Sequence, residues 1–111
     1  HEFFNQYMVV PLEEIDEDAF DFCENIELIS SIPASVKTIG KECFRPLKKI
    51  HSIEFLGDDI TLGDRCFEGC RNLFIASFAN SKKVSLGLHA FYEVSPSFVL
   101  FINNGSILNS A

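Results

Sequence analysis

Four cysteines and three histidines are the side chains of this 111-residue chain best suited to nucleophilic, redox or metal chemistry. Cys66 and Cys70 lie close together, whereas Cys23 and Cys43 stand apart. Zinc sites usually pair cysteines at short gaps twice over, so one near pair is a weak metal signal. Four cysteines also permit disulfides. A Cys–His nucleophile pair would need His89 beside Cys66 or Cys70, with a third group orienting the imidazole. His1 is terminal and His51 precedes a short alternating run. No Ser-His-Asp order, phosphate-binding glycine loop or clustered carboxylate pair is legible. The expectation is a non-enzyme with no cofactor or metal. Asn104-Gly105-Ser106 matches a glycosylation acceptor, but Asn-Gly is as readily a turn, and a turn is the reading adopted.

What decides between these chemistries is where each residue falls in an internal repeat. Four segments share one pattern: Ile15-Asp-Glu-Asp-Ala-Phe20, Ile39-Gly-Lys-Glu-Cys-Phe44, Leu62-Gly-Asp-Arg-Cys-Phe67 and Leu86-Gly-Leu-His-Ala-Phe91. The phenylalanines are 24, 23 and 24 residues apart. Three positions after each comes a compact apolar residue (Cys23, Leu47, Cys70, Val94), and six after comes Ile26, Ile50 or Leu73. The fourth copy slips by one, to Phe98. Alternating triplets follow: Ile53-Glu-Phe55, Ala76-Ser-Phe78 and Leu100-Phe-Ile102. The first copy carries an extra residue around Ile29-Ser-Ser-Ile32, which leaves its inward register open. A last series, Val36, Ile60, Val84 and Ile107, recurs at 24, 24 and 23.

A unit of about 23 residues cannot bury its own apolar side, but stacked units share a continuous core. The period therefore implies a solenoid in which Phe, the small Ala/Cys and the aliphatics form inward columns. All four cysteines fall on those columns, where a free thiol behaves as a small hydrophobe. Buried thiols are the preferred reading over disulfide or metal. Equivalent stacking puts His89 over Arg65, on the outside, away from Cys66. The alternating triplets read as short parallel strands, the segment around each Phe as a short helical or irregular turn opposite them, and the signature glycine as a tight corner of positive φ.

The pattern resembles the BspA-like (Treponema-type) leucine-rich repeat, most closely at Leu62-Gly-Asp-Arg-Cys-Phe67-Glu-Gly-Cys70-Arg-Asn-Leu73, and the resemblance covers roughly residues 8–108. It implies an α/β leucine-rich-repeat solenoid, right-handed, with one parallel sheet. It also implies a bacterial or anaerobic-protist type of protein whose members bind other proteins. The organisation expected is a single repeat domain, 1–111, with a partial coil at 1–11, then coils at 12–35, 36–58, 59–82 and 83–106, and uncapped ends.

Composition narrows the partners. Sixteen acidic against nine basic residues give a net charge of −7, which disfavours nucleic acid and anionic membrane surfaces. The longest apolar run, Phe98–Ile102, is too short to insert in a membrane. Residues 1–30 hold nine acids and no Lys or Arg. The repeat resolves much of this imbalance into ladders of alternating sign one coil apart: Glu17–Lys41–Asp64, Asp21–Arg45–Glu68 and Glu24–Lys48. Lys48-Lys49 and Lys82-Lys83 then read as solvated turns.

Binding is expected on the outer face of the sheet, at Glu54, Leu56, Ile75, Ser77, Val99 and Phe101. The last strand, Phe98, Val99, Leu100, Phe101 and Ile102, loses its polar alternation, as strands covered on both sides do. It would sit at an unpaired edge, where chains self-associate. The expectation is a protein-binding scaffold that forms a homodimer by edge pairing or strand exchange. The alternative is a cell-surface adhesin module that binds host or matrix proteins. Free thiols and the lack of a visible leader favour the cytoplasm over the surface, although the chain starts at His1 rather than Met, so a leader could precede it.

Overall fold

The computed structural model describes residues 13–16, 19 and 31–111. Its strands are β1 (Glu14–Ile15), β2 (Ser31–Ile32), β3 (Thr38–Ile39), β4 (Ser52–Phe55), β5 (Asp59–Leu62), β6 (Ile75–Phe78), β7 (Lys83–Leu86), β8 (Val99–Ile102) and β9 (Ile107–Ser110). Every neighbouring pair is parallel. The odd-numbered strands form one sheet, β1-β3-β5-β7-β9, and the even-numbered ones a second, β2-β4-β6-β8. The solenoid therefore has two parallel sheets where the sequence suggested one. Ile60-Thr-Leu62 and Val84-Ser-Leu86 carry the missed signal, because each links a column residue to the signature aliphatic by strict alternation.

Where the third side of a coil is described it is built from turns, and the described residues contain no helix, contrary to the short helical segments anticipated. Hydrogen bonding explains why. The N–H groups of Cys43, Arg45 and Leu47 donate within the coil, to Gly40, Glu42 and Phe44. Those of Glu42 and Phe44 leave it and donate to Asp64 and Cys66 of the next coil, both at 2.9 Å. Arg65, Phe67 and Gly69 repeat this toward Leu88, Ala90 and Tyr92. A helix needs every N–H to point back along its own axis; here alternate amides are spent between coils. The price is a left-handed residue in each turn: Glu42, Arg65 and His89 have φ of 58°, 55° and 54°. Each costs roughly 1–2 kcal/mol, offset by the inter-coil bonds its flipped peptide permits.

Positive φ thus falls three residues beyond the aliphatic and not on the signature glycine. That glycine answers to close approach. A Cβ on Gly63 would lie 2.5 Å from the backbone nitrogen of Lys41, and one on Gly87 would lie 2.6 Å from that of Asp64. Backbone meets backbone there, and no side chain fits.

Among the described residues the inward columns are as expected; Phe20, Cys23 and Ile26 lie outside them. Phe44 stacks on Phe67 at 4.6 Å between ring centroids and Phe67 on Phe91 at 5.2 Å, with Phe55 on Phe78 at 4.7 Å beside them. Ile32 pairs with Phe55 and is buried, which settles the register of the first copy. Phe98 packs against Phe91, so the slipped copy still fills the core. One column is corrected: Val84 pairs with Leu108, while Ile107 faces outward beside Lys83. A feature with no counterpart in the sequence reading is a serine ladder. Ser81, fully buried, donates its hydroxyl to the Gly57 carbonyl at 2.7 Å, and Ser106 donates to the Ser81 carbonyl at 2.7 Å. Asn104-Gly105-Ser106 is a turn, with Gly105 at φ 88° and Ser106 N–H bonded to Asn103.

Candidate protein-interaction surface

The outward rows of the even-numbered sheet bring most of the expected residues together. Ser52, Ile75 and Val99 form one row across the coils, and Glu54, Ser77 and Phe101 form the next. Along the stack the face changes from polar to apolar. Ser52 and Glu54 are exposed, Ile75 and Ser77 are half-buried, and Val99 and Phe101 are 47% and 52% exposed. Leu56 stands apart, past the end of β4, half-buried and with its N–H on the Ile32 carbonyl. Phe74, 42% exposed and stacked on His51 at 5.9 Å, joins the face just before β6. It was missed because its neighbour Leu73 occupies the column position.

In β8 the inward residues Leu100 and Ile102 are half-buried and the outward Val99 and Phe101 are exposed. Its apolar run therefore does not reflect cover on both faces among the described residues. The strand is the last of its sheet and β9 the last of the other. Val99 N–H bonds to the Phe74 carbonyl, and strand alternation then turns the amides of Leu100 and Ile102 toward the open edge. Outward Ile107 and inward Leu108 are also exposed at this end.

The groups considered for chemistry lie elsewhere. Cys43, Cys66 and Cys70 are buried free thiols; Cys23 lies outside the described residues. Burial pushes the thiols of Cys43 and Cys70 up to about 12, with Asp16 adding to the rise at Cys43 and Lys48 opposing it at Cys70. Burial also raises Cys66. A neutral thiol is a poor nucleophile and a poor metal ligand. Cys70 donates its S–H to the Phe44 carbonyl at 3.1 Å. His89 lies on the surface beside Tyr92, with ring centroids 5.0 Å apart, while Cys66 is fully buried. No group of three potential metal ligands occurs among the described residues.

Of the charge ladders, the Arg45–Glu68 step is made, at 3.2 Å. The contact is off-line, leaving Arg45 Nε without a linear hydrogen bond. Glu42 and Arg65 complete the network, Glu42 with Arg45 at 3.1 Å and Arg65 with Glu68 at 3.3 Å. Lys41 and Asp64 do not pair. Asp64 instead accepts the N–H of Leu88 at 2.8 Å, drawn there by the close approach at Gly87. Glu17, Asp21 and Glu24 lie outside the described residues.

Among the described residues no helix is long and apolar enough to cross a membrane. Neither a curated protein nor a solved structure matches the chain. A family model for the BspA type leucine rich repeat region matches residues 7–111, with six copies. Repeats of this kind support protein-interaction scaffolds in general and are typically non-catalytic. A fixed 23–24-residue period, parallel strands stacked coil on coil and a family match over nearly the whole chain agree: this protein belongs to the BspA type leucine-rich-repeat family.

Proposed function

We propose that the protein is a binding scaffold that uses the outer face of the β2-β4-β6-β8 sheet for a protein partner and self-associates along β8. The observation that carries this reading is the coincidence, on one strand, of a backbone edge unpaired among the described residues with exposed Val99 and Phe101. An edge strand is a template for another chain, and such strands are commonly blunted by charge or proline; β8 has neither. Two copies related by a two-fold axis would pair their β8 edges antiparallel and bury both apolar rows, a closed and self-complementary arrangement.

The test is the mass in solution by sedimentation between about 1 and 100 μM, a range that brackets micromolar affinity. The wild type is expected to be a dimer and Val99→Lys/Phe101→Lys a folded monomer. A wild type that stays monomeric throughout would remove self-association. Binding of a matrix protein to that monomer, lost in the double variant, would favour the adhesin alternative on the same sheet face. The free thiols Cys43, Cys66 and Cys70 support a reducing, cytoplasmic setting, which fractionation of the source cells would check.

A further inference from the structure

On a different side of the stack, Gly69 opens a gap in the surface. The residues one coil before and after it, Pro46 and Glu93, both carry side chains; Gly69 carries none and sits at φ 79°. Above it is a cavity of about 530 Å³, within the usual size range of small-molecule sites. Apart from Gly69, every residue of its lining carries a polar or charged side chain, and none is aromatic or aliphatic. This disfavours apolar ligands.

The charge around the cavity is inverted relative to the chain's −7. Arg45 is already engaged by Glu42 and Glu68. Arg71 reaches Glu93 only at 4.0 Å and remains 75% exposed. Lys48 and Lys49 have no carboxylate within ion-pair distance among the described residues. The Lys48 ammonium lies 2.8 Å from where a Cβ of residue 69 would be, directly over the floor that glycine leaves open. Lys48 and Arg71 occupy equivalent positions of neighbouring coils, and both line the cavity. Asn72 anchors the wall by donating to the Lys48 carbonyl at 3.3 Å. Glu93 offers a carboxylate that accepts hydrogen bonds from hydroxyl groups.

We propose that this cavity binds a phosphate or sulfate ester carried on a hydroxyl-bearing group such as a sugar. Lys48, Lys49 and Arg71 hold the oxyanion, and Glu93 takes the carrier's hydroxyls. The site is separate from the sheet face and does not depend on self-association.

The test is titration of the full chain with glucose 6-phosphate, glucose 6-sulfate, inorganic phosphate and a triglutamate peptide. Backbone amide NMR shifts are followed at about 20 mM ionic strength, where charges are weakly screened. Saturable shifts at residues 48, 49, 69 and 71 are expected with the sugar esters, more weakly with inorganic phosphate. Lys48→Gln/Arg71→Gln, both exposed positions, should weaken binding at least about tenfold. Lys82→Gln/Lys83→Gln should leave it unchanged. If phosphate is the preferred source, affinity rises between about pH 5 and 7 as the ester becomes a dianion; with a sulfate ester it is flat. The proposal is overturned by an absence of saturable shifts, by equal binding in the Lys48/Arg71 variant, or by tighter binding of triglutamate, which would make the cavity an acidic-peptide site.

Discussion

Replacing Gly63 by alanine separates two explanations for the signature glycine. If the residue is needed for a left-handed corner, asparagine should substitute at modest cost, since it tolerates that conformation. If it is needed because backbones touch, any Cβ is excluded. The structure predicts the second. A Cβ at 63 would lie 2.5 Å from Lys41 N and 2.8 Å from Gly40 C, both main-chain atoms with no side-chain freedom to yield. Relieving the clash means separating two coils locally by the better part of an ångström. That strains the bond from Gly63 N–H to the Ile39 carbonyl, now 2.8 Å. Overpacking costs roughly 1–3 kcal/mol and a weakened hydrogen bond about 1 more, so about 2–4 kcal/mol is expected. Gly69 is the control. It has φ 79°, and its Cβ would meet only the mobile end of Lys48, so alanine there costs the left-handed penalty of about 1–2 kcal/mol. Urea unfolding of Gly63→Ala, Gly63→Asn, Gly69→Ala and Gly69→Asn reads both. The reasoning fails if Gly63→Asn recovers the loss, or if Gly63→Ala is milder than Gly69→Ala.

Three further outcomes follow from the core. Phe67→Ala, which removes the ring between Phe44 and Phe91, should cost about 3–5 kcal/mol in urea unfolding, and Phe67→Leu distinctly less. Ser81→Ala should cost about 1–3 kcal/mol, because the buried Gly57 carbonyl loses its donor, and Ser81→Cys should not restore it. The thiols make stability fall at alkaline pH. Below their ordinary value of 9.0 both folded and unfolded forms are protonated, and the full contribution is present. Above it only the unfolded chain ionises, so each thiol removes about 1.4 kcal/mol per pH unit until its folded value near 12 is reached. Cys43→Ala/Cys70→Ala should make that slope shallower in unfolding curves taken from pH 8 to about 10.5, with Cys66, also raised by burial, left to contribute.

The period was legible because stacking forces equivalent residues into columns, so Phe44, Phe67 and Phe91 show themselves as a spacing before any coordinates. The outward rows of the even-numbered sheet were legible for the same reason, through alternation in Ile53-Glu-Phe55 and Ala76-Ser-Phe78. The second sheet was obscured by its first two members: Glu14–Ile15 and Thr38–Ile39 are two-residue strands, too short to show a period of two. The absence of helix in the turns was not legible, since Gly-x-x-Cys-Phe fits a helical turn as well as it fits amides alternating between coils. The serine ladder and the cavity over Gly69 depend on which hydroxyl or ammonium lies above which backbone atom. Ser81 and Ser106 are 25 residues apart, one step off the main period, so column counting passes over them.

The claim most in need of a direct measurement is that β8 meets a second copy. Amide hydrogen exchange, resolved by residue and compared at about 1 and 100 μM, tests it, because edge amides exchange freely until a partner strand accepts them. Protection of Leu100 and Ile102 is expected to rise with concentration in the wild type and to stay flat in Val99→Lys/Phe101→Lys. Val99, already bonded to Phe74, should change little in the wild type. Equal exchange of Leu100 and Ile102 at both concentrations would contradict edge pairing and leave the sheet face as the interaction surface.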